Sequence, residues 1–105
     1  MADGDGEALR AAWLDFYRRR LPEAAQSRPD WPVQLDHCFA RIILDCVVGR
    51  PWREVVAAPA WRKLDAVKLA EAVALGEAVL AGQADLGALN RRSLALRGKR
   101  QRSAA

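Results

Sequence analysis

The sequence is poor in the residues that build covalent or metal-held scaffolds: of 105 residues, two are cysteine, one is histidine and one is methionine. Cys38 and Cys46 stand eight positions apart, which on a single helix separates them by about 12 Å along the axis. A disulfide tolerates less than about 7 Å between Cα atoms, so the two cannot bridge within that helix. Two thiols and one imidazole also fall short of the four ligands that a closed zinc site requires. Neither a metal nor a cofactor is expected. Long apolar runs are missing as well: no stretch of about 18 uncharged apolar residues is present, which excludes a helical bilayer span, and no membrane partner is expected. The acidic start Met1-Ala2-Asp3-Gly4-Asp5-Gly6-Glu7 has neither the basic nor the apolar region of a secretion signal. A reduced, cytoplasmic setting is the resulting expectation. Alternating strand patterns, internal repeats and low-complexity tracts are absent too.

What is present is a folding composition. With 51% hydrophobic and 29% charged residues, the chain reads as one globular domain, 1–105, with flexible ends at 1–6 and 99–105. At this length roughly 60 to 65% of the unfolded chain's surface is buried on folding, enough for one modest core. Seventeen Lys and Arg face thirteen Asp and Glu, and the imbalance is local. Residues 66–105 hold seven bases against three acids, whereas residues 1–30 hold five against six. The positive excess therefore lies at the C-terminal end.

The apolar residues recur at helical period. Leu9, Trp13, Phe16 and Tyr17 mark a first helix over Glu7 to Arg20, closed by Pro22, with Arg18-Arg19-Arg20 at the negative end of its dipole. Pro22 to Pro32 reads as an extended loop landing on Trp31. In Val33 to Val48, at about 100° per residue, Leu35, Cys38, Phe39, Ile42, Ile43, Cys46 and Val47 fill one wide arc, with Leu44 and Val48 beyond it. A helix apolar on more than one face is central. Its exposed remainder is the stripe Gln34, His37, Arg41 and Asp45, and Gly49 ends it. Pro51 suits a first helical position, so 51–56 makes a short helix before Pro59. Asp65 caps Ala66 to Ala81, where Gly76 interrupts the apolar line of Leu69, Val73 and Leu80 and admits a close neighbour. A last helix runs from Ala84 or Asp85 to Arg97 and ends at Gly98. The expected fold is all-α: a single compact bundle of four main helices plus one short helix.

Several residues invite chemistry. Asp36-His37-Cys38 imitates a triad written in a row, but adjacent helical residues point about 100° apart, so His37 cannot activate Cys38. Cys38 is expected to pack as a small hydrophobe. Asp36 borders the apolar arc and is expected to be partly buried, bonded to a loop amide or a Trp N–H. His37, Arg41 and Asp45 share one stripe at spacings of four and eight, either as a solvated face with an Arg41–Asp45 pair or as a surface site together with Trp52 and Arg53. Of the four tryptophans, at 13, 31, 52 and 61, Trp52 and Trp61 stand beside basic residues, a combination that stacks single-stranded nucleic acid, although core anchoring is the commoner use of the ring. Finally, Arg91, Arg92, Arg97, Lys99, Arg100 and Arg102 lie in a stretch without an acid, and suit nucleic-acid phosphates, bound without sequence preference, or an acidic protein partner.

The run Trp31-Pro32-Val33-Gln34-Leu35-Asp36-His37-Cys38-Phe39-Ala40-Arg41-Ile42-Ile43-Leu44-Asp45, with Arg50-Pro51-Trp52 and Leu89-Asn90-Arg91-Arg92-Ser93-Leu94, resembles a family of small bacterial proteins often filed under a GNAT acetyltransferase label. The resemblance spans about residues 31 to 98. GNAT enzymes share an α/β fold longer than this chain and a signature of Gln or Arg, two residues, Gly, one residue, then Gly or Ala, whose amides hold the acetyl-CoA pyrophosphate. No glycine here has Gln or Arg three places before it, so no GNAT catalytic residue carries over and acetyl transfer is a minor alternative. The expected function is a small non-enzymatic binding module engaging nucleic acid or an acidic partner through the basic C-terminal side. The alternative is a small enzyme or accessory subunit using the region of Asp36, His37, Arg41 and Asp45. An open groove beside His37 and Arg41 favours the small enzyme or accessory subunit, and a continuous basic face favours the binding module.

Overall fold

The structure, a computed structural model, describes residues 2–55 and 64–98, and in them the chain is helical and contains no strand. The first helix, α1 (Ala2–Asp15), passes through a π-helical turn (Phe16–Arg20) into α2 (Leu21–Ala25). Then come α3 (Asp36–Val48), the short α4 (Trp52–Val55), α5 (Ala66–Leu80) and α6 (Leu86–Arg97). The all-α bundle expected from the helical periods is therefore the fold. None of the described helices is long and apolar enough to cross a membrane.

Three boundaries differ from the sequence reading by more than two residues. α3 starts at Asp36 rather than Val33, because Leu35 ahead of it is extended, φ −97° and ψ 148°; the other two lie in the first helical stretch, each for a physical reason. The first helix starts at Ala2 rather than Glu7. The acidic sequence there suits the positive end of a helix dipole, a signal that apolar periodicity does not register. Nor does Pro22 close the helix. In an α-helix its ring would strike the carbonyl four residues back and its missing N–H would leave that carbonyl unpaired. The π turn widens the spiral just ahead of it, with the Leu21 N–H donating to the Phe16 carbonyl, so Pro22 enters α2 near its first position, where proline is tolerated. Arg18-Arg19-Arg20 consequently sit within a continuing helix. Arg19 spans the widened turn, with Nε 2.7 Å from Asp15 Oδ1 and Nη1 3.5 Å from Glu23 Oε1. The bonds from Arg19 hold the Asp15 carboxyl below its ordinary range.

Around the central α3 the core gathers Trp13, Phe16, Leu21 and Ala25 from the first helical stretch, Phe39, Ile42, Ile43 and Leu44 from α3, Leu69, Ala72 and Val79 from α5, and Leu86 from α6. As expected for a helix apolar on more than one face, α3 packs against α2, the π turn, α4, α5 and α6. Trp31 packs edge-on to Phe39, ring centroids 5.7 Å apart, which pins the loop between α2 and α3. Asp65 accepts from the Lys68 N–H at 2.9 Å and Asp85 from the Ala88 N–H at 3.2 Å, the two N-caps that start α5 and α6.

Gly76 is the close approach foreseen on α5. A Cβ built there would meet the Phe16 ring at 3.4 Å, ordinary contact without overlap. Gly76→Ala is accordingly expected to keep the packing and raise stability by up to about 1 kcal/mol through helix propensity, while Gly76→Leu pushes the ring aside and costs about 1 to 3 kcal/mol. Denaturant midpoints read both variants, and a marked loss on Gly76→Ala would show that this crossing leaves no room for a methyl group.

Candidate functional site

The candidate site grows from one carboxylate. Asp45 lies one turn before the end of α3 and has no solvent exposure. The sequence reading placed it on the exposed stripe and paired it with Arg41; the structure overturns both. α4 and α6 pack over the C-terminal half of α3, so the face that is polar in a lone helix becomes interior there. Gln34, just ahead of α3, and His37, in its first turn, do remain exposed, and Arg41 is half-buried.

Every acceptor position on Asp45 is used. Its Oδ2 accepts from Ser93 Oγ at 2.6 Å and Arg97 Nε at 2.7 Å. Its Oδ1 accepts from Arg97 Nη2 at 3.1 Å and from the Trp52 backbone N–H at 2.9 Å. The last bond exists because Gly49 takes the left-handed conformation, φ 83°, and turns the chain so that α4 begins over Asp45. Arg41 reaches the same cluster from one turn earlier, donating from Nη1 to Ser93 Oγ at 2.9 Å and from Nη2 to Asn90 Oδ1 at 2.8 Å. Ser93, also without solvent exposure, thus accepts from Arg41 and donates to Asp45. Among the described residues no buried side-chain nitrogen or oxygen lacks a partner.

Above this network opens a cleft of about 340 Å³ lined by Tyr17, His37, Ala40, Arg41, Trp52, Arg53 and Arg97. The π turn, α3, α4 and α6 each supply part of it. Two aromatic residues in its wall carry their own arginine neighbours: the Arg53 guanidinium carbon lies 5.3 Å from the centre of the Trp52 ring and that of Arg18 lies 5.5 Å from the centre of Tyr17. Among the described residues no Asp or Glu lines the cleft. Arg41, Arg53 and Arg97 leave it cationic, because Asp45 beneath them offsets one charge only.

Of the residues singled out in sequence, His37, Arg41, Trp52 and Arg53 come together in this cleft, with Asp45 below. Asp36 does not have the buried role expected of it. α3 begins at Asp36, so its side chain stands at the helix mouth, half exposed, accepting from the His37 N–H at 2.7 Å and lying 3.5 Å from His37 Nδ1. The C-terminal cations divide. Arg91 and Arg92 are exposed on α6, whereas Arg97 turns inward onto Asp45, its side chain 23% exposed. Lys99, Arg100, Arg102 and Trp61 lie outside the described residues. Tyr17, Asn90 and Ser93 were missed. For two of them a signal existed, since Asn90, Ser93 and Arg97 recur at three and four residues, a polar stripe on one face of α6. Trp13 is buried against the Tyr17 ring, with centroids 5.0 Å apart, and serves the core.

Among the described residues no cluster of three or more His, Cys, Asp or Glu is placed to hold a metal ion. Cys38 is partly buried; Cys46 faces α6, its Sγ 3.5 Å from the Leu89 carbonyl. Compared with known protein families, curated proteins and solved structures, the chain matches none. What the fold and the geometry give is an all-α bundle with a cationic cleft.

Two outcomes follow. Arg97→Ala strands a buried carboxylate and is expected to cost about 3 to 5 kcal/mol, against less than about 1 kcal/mol for Arg19→Ala, whose ion pair is solvent-exposed. Equal, small effects in chemical denaturation would refute the account of Asp45. Burial pushes the Cys46 thiol above its ordinary 9.0. A raised value favours the protonated thiol, so this group's stability contribution is whole below about pH 9 and declines as pH rises through the raised value. In a Cys38→Ser background, maleimide labelling at neutral pH should be slow in the native protein and fast in denaturant; rapid native labelling would contradict the burial.

Proposed function

We propose that the protein is a non-enzymatic binding module for a polyanion, nucleic-acid phosphate or an acidic protein segment, and that the contact centres on the cleft beside His37 and Arg41. The observation that carries this reading is the convergence of Arg41, Arg53 and Arg97 on one concavity with no carboxylate among its described lining residues. Arg41 and Arg97 are fixed in place by Ser93, Asn90 and Asp45, so little side-chain freedom is lost when an anion arrives. Arg97 is committed to Asp45 through Nε and Nη2, which assigns the ligand's charge to Arg41 and Arg53. Exposed Arg91 and Arg92 on α6 strengthen the positive field that draws an anion in. Asp45, beneath the cleft, has all its acceptor positions occupied, which suits support of the arginines rather than proton transfer.

Tripolyphosphate is the first probe. In calorimetric titration at low salt, Arg53→Glu is expected to weaken its binding roughly ten- to hundredfold, as the loss of a charge-assisted contact dictates. The pair Arg91→Glu and Arg92→Glu, acting through the long-range field, should weaken it less than about threefold, an effect that fades with salt. If the α6 pair abolishes binding and Arg53→Glu leaves it intact, the contact belongs to the outer face of α6 and the cleft reading is wrong.

A further inference from the structure

We infer that the cleft accepts one nucleotide unit, a phosphate joined through a sugar to an aromatic base, with Trp52 as the stacking ring. This deepens the proposed polyanion reading and rests on it. A site for phosphate alone needs cations and donors; aromatic walls add nothing to it. Here Tyr17 and Trp52 both line the cavity. They reach it from separate elements, the π turn and α4, so their meeting is made by the tertiary fold rather than by neighbouring sequence.

Each of these rings has a guanidinium against it within the distance at which a cation is attracted to an aromatic face. Base stacking combined with arginine over aromatic residues is the chemistry by which single-stranded nucleic acid is held without a base code. The carboxylates of an acidic peptide make no use of the Trp52 ring, whereas the base of a nucleotide stacks on it, so the observations favour the nucleotide. The size agrees: the cleft of about 340 Å³ falls at the small end of the range for ligand pockets, about 300 to 1,000 Å³, room for one such unit and not for a folded duplex.

The division of labour among the side chains is likewise specific. Arg53 is exposed, lies over the Trp52 face and has no carboxylate partner among the described residues, while Arg41 is braced by Ser93 and Asn90. Arg97 stays with Asp45. The backbone N–H of Trp52 donates to Asp45, so changing the Trp52 side chain removes the stacking surface and leaves that anchor in place.

The test compares four probes by calorimetry at low salt: adenosine monophosphate, ribose 5-phosphate, adenosine, and a single-stranded oligodeoxyadenylate of about eight nucleotides. Adenosine monophosphate is expected to bind roughly five- to hundredfold tighter than ribose 5-phosphate, the range that stacking of one base supplies. Trp52→Ala should remove that preference while ribose 5-phosphate binds as before, and Trp52→Phe should restore most of it. Circular dichroism and the denaturation midpoint establish that each variant is folded. The source is read from the last probe: an oligonucleotide at least about tenfold tighter than the monophosphate marks a strand-binding site, and equal affinity marks a free-nucleotide site. Equal binding of adenosine monophosphate and ribose 5-phosphate, or a preference that survives Trp52→Ala, overturns this inference and leaves the cationic cleft standing. Absence of binding by all four probes together with tripolyphosphate defeats both.

Discussion

A carboxylate with no access to water has to be matched inside the protein, and most of what is particular to this fold follows from how Asp45 is matched. Four hydrogen bonds converge on it from three directions: the side chains of Ser93 and Arg97 on α6 and the first backbone N–H of α4. Such a cluster adds little stability relative to a well-packed apolar alternative, but it tolerates few arrangements, because each displaced partner leaves a buried charge or polar group exposed to an apolar surrounding. It fixes which residues of α6 lie against α3, and it fixes where α4 begins.

The cleft is a consequence of that matching. Arg97 drawn inward, Arg41 held one turn away through the shared Ser93 hydroxyl, and α4 seated over Asp45 together put three guanidiniums and the Trp52 ring around one opening. The apolar side of the bundle does the complementary work. The π turn carries Pro22 through without ending the helix and places Phe16 over Gly76 and Tyr17 at the cleft wall. The proposed binding of an anion draws on this arrangement: the arginines are positioned in advance, at a cost already met in folding.

Much of the architecture was legible in the residues. The wide apolar arc of α3 marked it as central, Asp65 marked the start of α5, and Gly49 and Gly98 marked two helix ends that are left-handed in the structure. Local rules suffice there, since caps, dihedral preference and period act within a few residues. The candidate site was legible in part. His37, Arg41, Trp52 and Arg53 were already grouped, whereas Tyr17 was read as a helix residue of the core and Ser93 and Asn90 were passed over. Charge drew attention to Arg97 for the wrong neighbourhood: a cation near a helix C-terminus reads as solvated unless the helix packs its last turn against a buried acid.

The sequence by itself determined that the chain is helical, where most helices begin and end, which faces are apolar, and that positive charge accumulates toward the C-terminus, because these depend on spacing and side-chain type alone. Only the tertiary structure decided that Asp45 is interior, that its partner is Arg97 rather than Arg41, and that Tyr17 and Trp52 meet at one cavity. The physical reason is that polarity on a helix face is a property of one segment, whereas burial is a property of what packs against it. The partners of Asp45 on α6 lie about fifty residues away along the chain, at separations of 48 and 52, and no local pattern states which of the available cations will be carried to it.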